Sequence, residues 1–285
     1  MQIAIGSPVR MQNRQWLLFW SCLSLLPWLV STAQAESIRL SGTGMLLTAI
    51  RLVTDDYRQS HPAMQFQFHL PPVGSSGAIK AVINGQLDIA LTGRPLKKEE
   101  EAGLVQEWLG RTPFVFIAHP SVPVGRVTLD QLVEIYAGRQ KHWPDGSRIR
   151  LILRPLADAD TAIMTGISPA MKEAITTAHA NRPPGVALAD TDIDLVDMVE
   201  KVPGGVGSVA FALLLAEKRP LKPLILDGVA PTVEAMEQHR YLHDKPAYLV
   251  TRVDAPSVVR DVVDYLRSAT GKAKLAQLGI SATSR

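Results

Sequence analysis

The apolar positions of this chain change period several times, and each change marks an element. Leu46, Ile50, Val53 and Tyr57 recur at three- and four-residue steps, which predicts a helix over about 45–60 that His61-Pro62 stops. A short strand at 37–40 precedes it, and Ser41-Gly42-Thr43-Gly44 joins the two. Met64, Phe66, Phe68 and Leu70 alternate with Gln65, Gln67 and His69, the period of a strand with one face more buried. The stretch 71–95 then reads PPVGSSGAIKAVINGQLDIALTGRP. It predicts a loop at 74–77, a short amphipathic helix at 78–83 closed by Asn84-Gly85, an apolar strand at 87–91 and a small-residue turn at 92–94.

Strands alternating with helices in this way predict an open α/β sheet. In such sheets ligands sit beyond the C-terminal ends of the strands, which is where the turns 41–44, 74–77 and 92–94 fall. The turn at 74–77 also leads into a helix, whose unpaired N–H groups and positive dipole end favour an anion. These turns read as one wall of a ligand cleft.

The pattern continues with a short solvated helix at 97–103 and a strand at 113–118, apolar on both faces. A helix at 127–136 has Gly138 beyond its end. A strand at 149–153 runs into Arg154-Pro155-Leu156-Ala157-Asp158-Ala159-Asp160-Thr161, with helix from about 162. An amphipathic segment covers 192–201, and 203–208 reads as a turn into the apolar run 209–215. Strands at 224–226 and 248–251 and helices at 258–266 and 272–278 complete the chain, with no internal repeat.

Composition changes the picture only at the start. The 285 residues are 46% hydrophobic and 20% charged, enough for one large domain or two small ones. Residues 1–35 have the form of a secretory signal: Arg10 and Arg14, an apolar core at 16–30 interrupted by Pro27, and Ala33-Gln34-Ala35 as a small-x-small cleavage site. Met11 is an alternative start that shortens the leader. The core is too short for a comfortable span, and Phe19-Trp20 is too bulky for lipidation at Cys22. Removing the segment takes two of the 30 Lys and Arg and none of the 27 Asp and Glu, so the mature chain is near neutral and nucleic acid is not an expected partner. Cys22 is the only cysteine, so no disulfide or thiolate metal site is expected after cleavage. The product is expected to be soluble and exported.

Enzyme signatures are weak. Ser75 lacks a Gly-x-Ser-x-Gly elbow and a His placed by any motif. The Gly-rich turns lack the Lys of a P-loop and full GxGxxG spacing. His239 and His243 have the i, i+4 spacing of zinc ligands on a helix, but without a third ligand a surface pair is the better reading. Tyr136 and Trp143 read as core. No catalytic residue, metal or cofactor is expected.

Several motifs occur in a recognisable order: Leu40-Ser41-Gly42-Thr43-Gly44-Met45, Val73 to Lys80 (VGSSGAIK), Asp88 to Leu96 (DIALTGRPL), Leu129-Asp130-Gln131-Leu132, Ile135-Tyr136-Ala137-Gly138 with Trp143, Gly205 to Val209, Asp227 to Thr232, and Gln277-Leu278-Gly279. On these the chain resembles the phosphate-type solute-binding proteins of ABC importers, within the type II periplasmic-binding-protein fold. The resemblance covers nearly all of the mature chain. It implies two α/β lobes, 36–118 plus 241–285 and 119–240, each an open sheet flanked by helices. The strands at 113–118 and 248–251 would lie near a hinge of crossing strands, and the lobes would close like a clamp. It also implies a small solute, phosphate or a related oxyanion, handed by a monomer to the membrane permease of an ABC importer. If the cleft is degenerate, the partner would be an envelope signalling protein instead.

The resemblance further assigns site residues, and here the chain departs from the family. The first turn should donate backbone N–H and a hydroxyl; those positions are Gly44 and Met45, so only N–H remains, with Thr43 one step away. Ser75 is retained, beside Ser76. The Asp that accepts the proton of hydrogen phosphate falls on Gly93, between Thr92 and Arg94. The second-lobe Arg matches Arg154, but the following Ser-Gly-Thr falls on Asp158-Ala159-Asp160, with Thr161 next. Two carboxylates facing an oxyanion repel it, by about 4 kcal/mol per unit-charge pair at ~4 Å near a surface. Either they point away, one of them capping the helix that begins near Thr161, or the ligand is not a dianion. Arg94 supplies compensating charge or is a solvated turn residue.

Overall fold

A computed structural model of the chain describes residues 37–182, 184–221 and 223–283. The expected signal segment 1–35, with Arg10, Arg14 and Cys22, lies outside the described residues. The chain runs β1 (Ser37–Gly42), α1 (Gly44–Ser60), β2 (Gln65–Phe68), α2 (Gly74–Ile83), β3 (Ile89–Thr92), β4 (Leu104–Ala118), β5 (Arg126–Val127), α3 (Leu129–Tyr136), β6 (Arg150–Leu153), α4 (Ala159–Ile167) and α5 (Pro169–Asn181). It continues through β7 (Val186–Leu188), α6 (Asp192–Lys201), β8 (Gly205–Ala210), α7 (Phe211–Ala216), β9 (Ile225–Leu226), α8 (Val233–Glu237), β10 (Asp244–Arg252), α9 (Ser257–Arg267) and α10 (Ala269–Gln277).

One mixed sheet carries the fold, in the order β2-β1-β3-β10-β4-β8-β6-β7. At one end β1 pairs in parallel with β2 and β3; at the other β6 pairs in parallel with β7 and β8. Antiparallel β10 and β4 join the two halves. β4 is long enough to serve both: residues 104–113 pair with β10 and 114–118 with β8. Its apolar end faces core on both sides. Val115 and Ile117 enter the cluster built on Ile38, Leu40, Ile50 and Leu195, while Phe114 and Phe116 enter that of Leu132, Tyr136, Trp143 and Leu151. Each such side chain contributes about 1.5–3 kcal/mol on burial.

Tyr241 ties the approach to β10 onto this strand, its hydroxyl donating to Phe114 O at 2.8 Å in the interior. Tyr241→Phe removes one buried hydrogen bond without opening a cavity, so a loss of about 1 kcal/mol in urea unfolding is expected.

Several elements differ from the pattern reading. Residues 74–77 are the first turn of α2, not a loop ahead of it. Within 97–103 only Lys98–Glu100 is helical, as a single 3-10 turn. β4 extends nine residues upstream of Pro113, through Gln106, Glu107 and Arg111, whose polarity masks the strand. Val127 belongs to β5, and the helix starts at Leu129 because Thr128 caps it: Thr128 Oγ1 accepts from Gln131 N–H at 3.1 Å and Gln131 Oε1 accepts from Thr128 N–H at 2.9 Å. Gly205 to Ser208 are strand, not turn. Their small residues serve packing, since a Cβ on Gly207 would stand 3.0 Å from Leu195 Cδ2 of α6. β7 and α8 carry no clear sequence pattern. His239 lies beyond the end of α8 with φ of +55°, so His239 and His243 do not share a helical face.

Candidate functional site

The strand ends deliver their turns to one place. β1 feeds Thr43 into α1, β6 feeds Arg154 and Asp158 into α4, β7 feeds Asp190 to Asp192 into α6, and antiparallel β10 brings Lys245 beyond the end of β3. Between them lies a cavity of about 220 Å³, lined by Thr43, Gly44, Arg154, Asp158, Asp192 and Lys245 among others. Residues from both halves of the sheet thus face one small space that carries several charged side chains, of a size for an inorganic ion or small metabolite.

The N-terminus of α1 holds a carboxylate. Gly44 N–H donates to Asp192 Oδ1 at 2.9 Å and Met45 N–H to Asp192 Oδ2 at 3.0 Å, both buried. Asp192 is the first residue of α6, where Thr191 caps the helix by accepting from Asp194 N–H at 3.0 Å. The carboxylate therefore sits at two helix N-termini at once, each favourable to a negative charge. Gly44 leaves the room: a Cβ there would collide with the Asp192 carboxylate.

Lys245 occupies the place vacated at Gly93. A Cβ on Gly93 would stand 2.6 Å from Lys245 Cε. Lys245 is 2% exposed and pairs with Asp160, 1% exposed, with Asp192 Oδ2 3.9 Å away. Burial opposes its charge, but Asp160, Asp192 and Asp158 hold it above the usual lysine value. Burial raises the Asp160 carboxyl to about 6, against the pull of Lys245 and with the help of Asp158 and Asp192.

That shift has a sign. The folded Asp160 carboxyl binds its proton more tightly than the unfolded one, so the stability it contributes is full below about pH 4 and is lost as pH rises through about 6. Urea unfolding at about pH 7 and about pH 4.5 is expected to show the wild type gaining on Asp160→Asn at the lower pH.

Arg154 is positioned rather than free. Its Nη1 donates to Ala189 O at 2.7 Å and its Nη2 to Asp158 Oδ2 at 2.8 Å. Asp158 is the N-cap of α4, its Oδ1 accepting from Asp160 N–H at 2.9 Å. Thr161 Oγ1 donates to Arg154 O at 3.2 Å, fixing the strand end beneath the guanidinium. Arg154 Nε and Thr43 Oγ1 are buried without a hydrogen-bond partner.

The remaining sequence candidates lie behind or beside the cavity. Ser75 is buried and its Oγ accepts from Gly93 N–H at 2.9 Å, joining two turns instead of facing the space. Thr92 Oγ1 donates to Arg94 O at 2.9 Å. Arg94 is neither solvated nor aimed at the cavity: it forms a two-toothed ion pair with Glu100 (2.7 and 2.8 Å) and donates to Ser76 Oγ at 2.9 Å. Glu100 is held below the usual carboxylate range, chiefly by that guanidinium. The structure thus gathers Thr43, Gly44, Arg154 and Asp158 at the cavity and adds Asp190, Asp192 and Lys245, which sequence reasoning passed over. A signal existed for Lys245, a lone cation heading the otherwise apolar strand Pro246 to Val250. For Asp192 the sequence ADTDID announced only a helix start.

Residues 30–270 match the family described as PBP superfamily domain. Protein SphX of Synechococcus elongatus is 25% identical over 229 residues, which span 74% of this chain and 66% of that protein, just under two thirds of its length. A putative phosphate ABC transporter substrate-binding protein with bound phosphate from Clostridium perfringens has a similar structure, with a TM-score of 0.73 at 20% identity over 87% of this chain and all (100%) of that one. An ABC-type phosphate transport receptor from Vibrio cholerae gives a TM-score of 0.61 at 20% identity, over 86% and 99% of the two chains. The regulatory domain of MetR, a LysR family regulator from N. meningitidis, gives 0.55 at 14% identity, over 88% and 100%. At such identities these structures share the fold alone. The family match, however, runs through both halves of the sheet and every cavity-lining residue, and this chain belongs to the PBP superfamily.

Proposed function

We propose that this chain is an exported solute-binding protein that captures a small oxyanion, phosphate or a relative of it, and hands it to the membrane permease of an ABC importer. The observation that carries this reading is the convergence of the α1 N-terminal amides and Arg154 on one cavity, where both already hold carboxylate oxygens. Groups so arranged recognise oxyanions by charge-assisted hydrogen bonds. The two halves of the sheet act as lobes, 36–118 with 241–285 and 119–240, and β4 and β10 act as the hinge that lets them close on the solute. Membership of the PBP superfamily and the likeness to phosphate transport proteins support binding and delivery over turnover. Residues 1–35 serve as the export signal, the mature protein works as a periplasmic monomer, and no catalysis is assigned. Among the described residues no helix is long and apolar enough to cross a membrane.

Calorimetry and thermal unfolding with millimolar inorganic phosphate and sulfate test the reading. Saturable heat and a raised melting temperature are expected. Silence with every oxyanion tried, in a folded protein, would leave the fold serving a protein partner such as an envelope sensor.

A further inference from the structure

We infer that Asp192 is a tethered competitor for the solute: the cleft binds an oxyanion by exchange for this carboxylate, and Asp192 sets its affinity. The inference rests on the proposed reading of the cleft as an oxyanion site. Its ground is that an anion seat at a helix N-terminus beside the cavity is already filled. Both oxygens of Asp192 take backbone N–H groups at the start of the 17-residue helix α1, and the carboxylate comes from the other half of the sheet, 148 positions from Gly44. The contact therefore does what a bound anion would do, satisfying the amides and bridging the two halves.

The surroundings are built for this carboxylate. Gly44 has no side chain where Asp192 lies, and Ile193 Cγ1 would stand 2.8 Å from a Cβ there. Gly93 likewise leaves its space to Lys245, whose Nζ lies 3.9 Å from Asp192 Oδ2. Beside this seat, Thr43 and Arg154 line the cavity, and Thr43 Oγ1 and Arg154 Nε are buried without a hydrogen-bond partner. Asp192 takes the amides but leaves these two polar atoms unsatisfied. A solute oxyanion added without displacing Asp192 would meet Asp192, Asp158 and Asp190 together against Arg154 and a Lys245 already paired with Asp160, a net repulsive field. Displacement removes one of those charges and frees the two amides. Apparent affinity then equals the intrinsic affinity scaled by the fraction of molecules in which Asp192 has let go.

Isothermal titration with inorganic phosphate, and separately sulfate, on wild type, Asp192→Ala, Asp192→Asn and Asp190→Asn tests this at fixed pH and salt. Asp192→Ala is expected to bind at least about tenfold more tightly than wild type, Asp192→Asn to fall between them, and Asp190→Asn to gain clearly less. Should Asp192→Ala fail to fold, the Asp192→Asn arm decides, since it keeps the shape and loses the charge. Wild-type binding equal to or tighter than that of both Asp192 variants overturns the competitor while leaving the cleft reading intact. An equal gain in Asp190→Asn also overturns it, because removal of any nearby charge would then suffice. Absence of binding in every folded variant removes both the competitor and the oxyanion site.

Discussion

Lys245→Met is expected to lower the free energy of unfolding by about 3–5 kcal/mol, the typical cost of removing one partner from a buried ion cluster. Methionine has nearly the length of the lysine stem, so the loss is electrostatic and not a cavity effect. Lys245 is the cation between Asp160 and Asp192, and all three are nearly excluded from solvent. Without it, Asp160 keeps no countercharge in contact, and its carboxyl, already raised by burial, should take up a proton near neutral pH. Urea unfolding of the single variant and of Lys245→Met/Asp160→Asn measures this. The double variant should recover a large part of the loss, because a neutral buried pair replaces an orphaned charge. A single variant within about 1 kcal/mol of wild type would mean that the cluster contributes little.

Arg154→Ala is expected to weaken oxyanion binding by about a hundredfold, the equivalent of one or two hydrogen bonds to a charged group. Arg154 is the guanidinium at the cavity wall, already oriented by Ala189 O and Asp158. The measurement is cleanest in an Asp192→Ala background, where the competing carboxylate is gone. Stability should fall much less than in Lys245→Met, because Asp158 is partly exposed and keeps its cap to Asp160 N–H. Arg154 and Lys245 are therefore expected to separate by readout, Arg154 in the titration with solute and Lys245 in unfolding.

The departures at Gly44, Gly93, Asp158 and Asp160 were legible as departures but not as a design. Asp158 follows the local reading, capping α4 as an Asp before a helix does. Asp160 does not: in the first turn of α4 it is buried against a lysine from β10, and nothing near it in the chain announces that lysine. Arg94 shows the same limit, since its partner Glu100 is only six residues on but reaches it through a 3-10 turn that charge patterning does not reveal. Strand β4 was half legible, its apolar end by composition and its polar start not at all, because that start gains strand geometry from pairing with β10.

By itself the sequence determined the alternation of strands and helices, the ends at which the turns gather, and the presence of one arginine among carboxylates at that end. Those are properties of neighbouring residues, set by period, caps and backbone freedom. Only the tertiary structure decided that Asp192 sits on the amides of α1 and that Lys245 fills the space left at Gly93. Such pairings depend on distances across the folded chain, and in a buried site a charge settles wherever a partner can meet its desolvation cost.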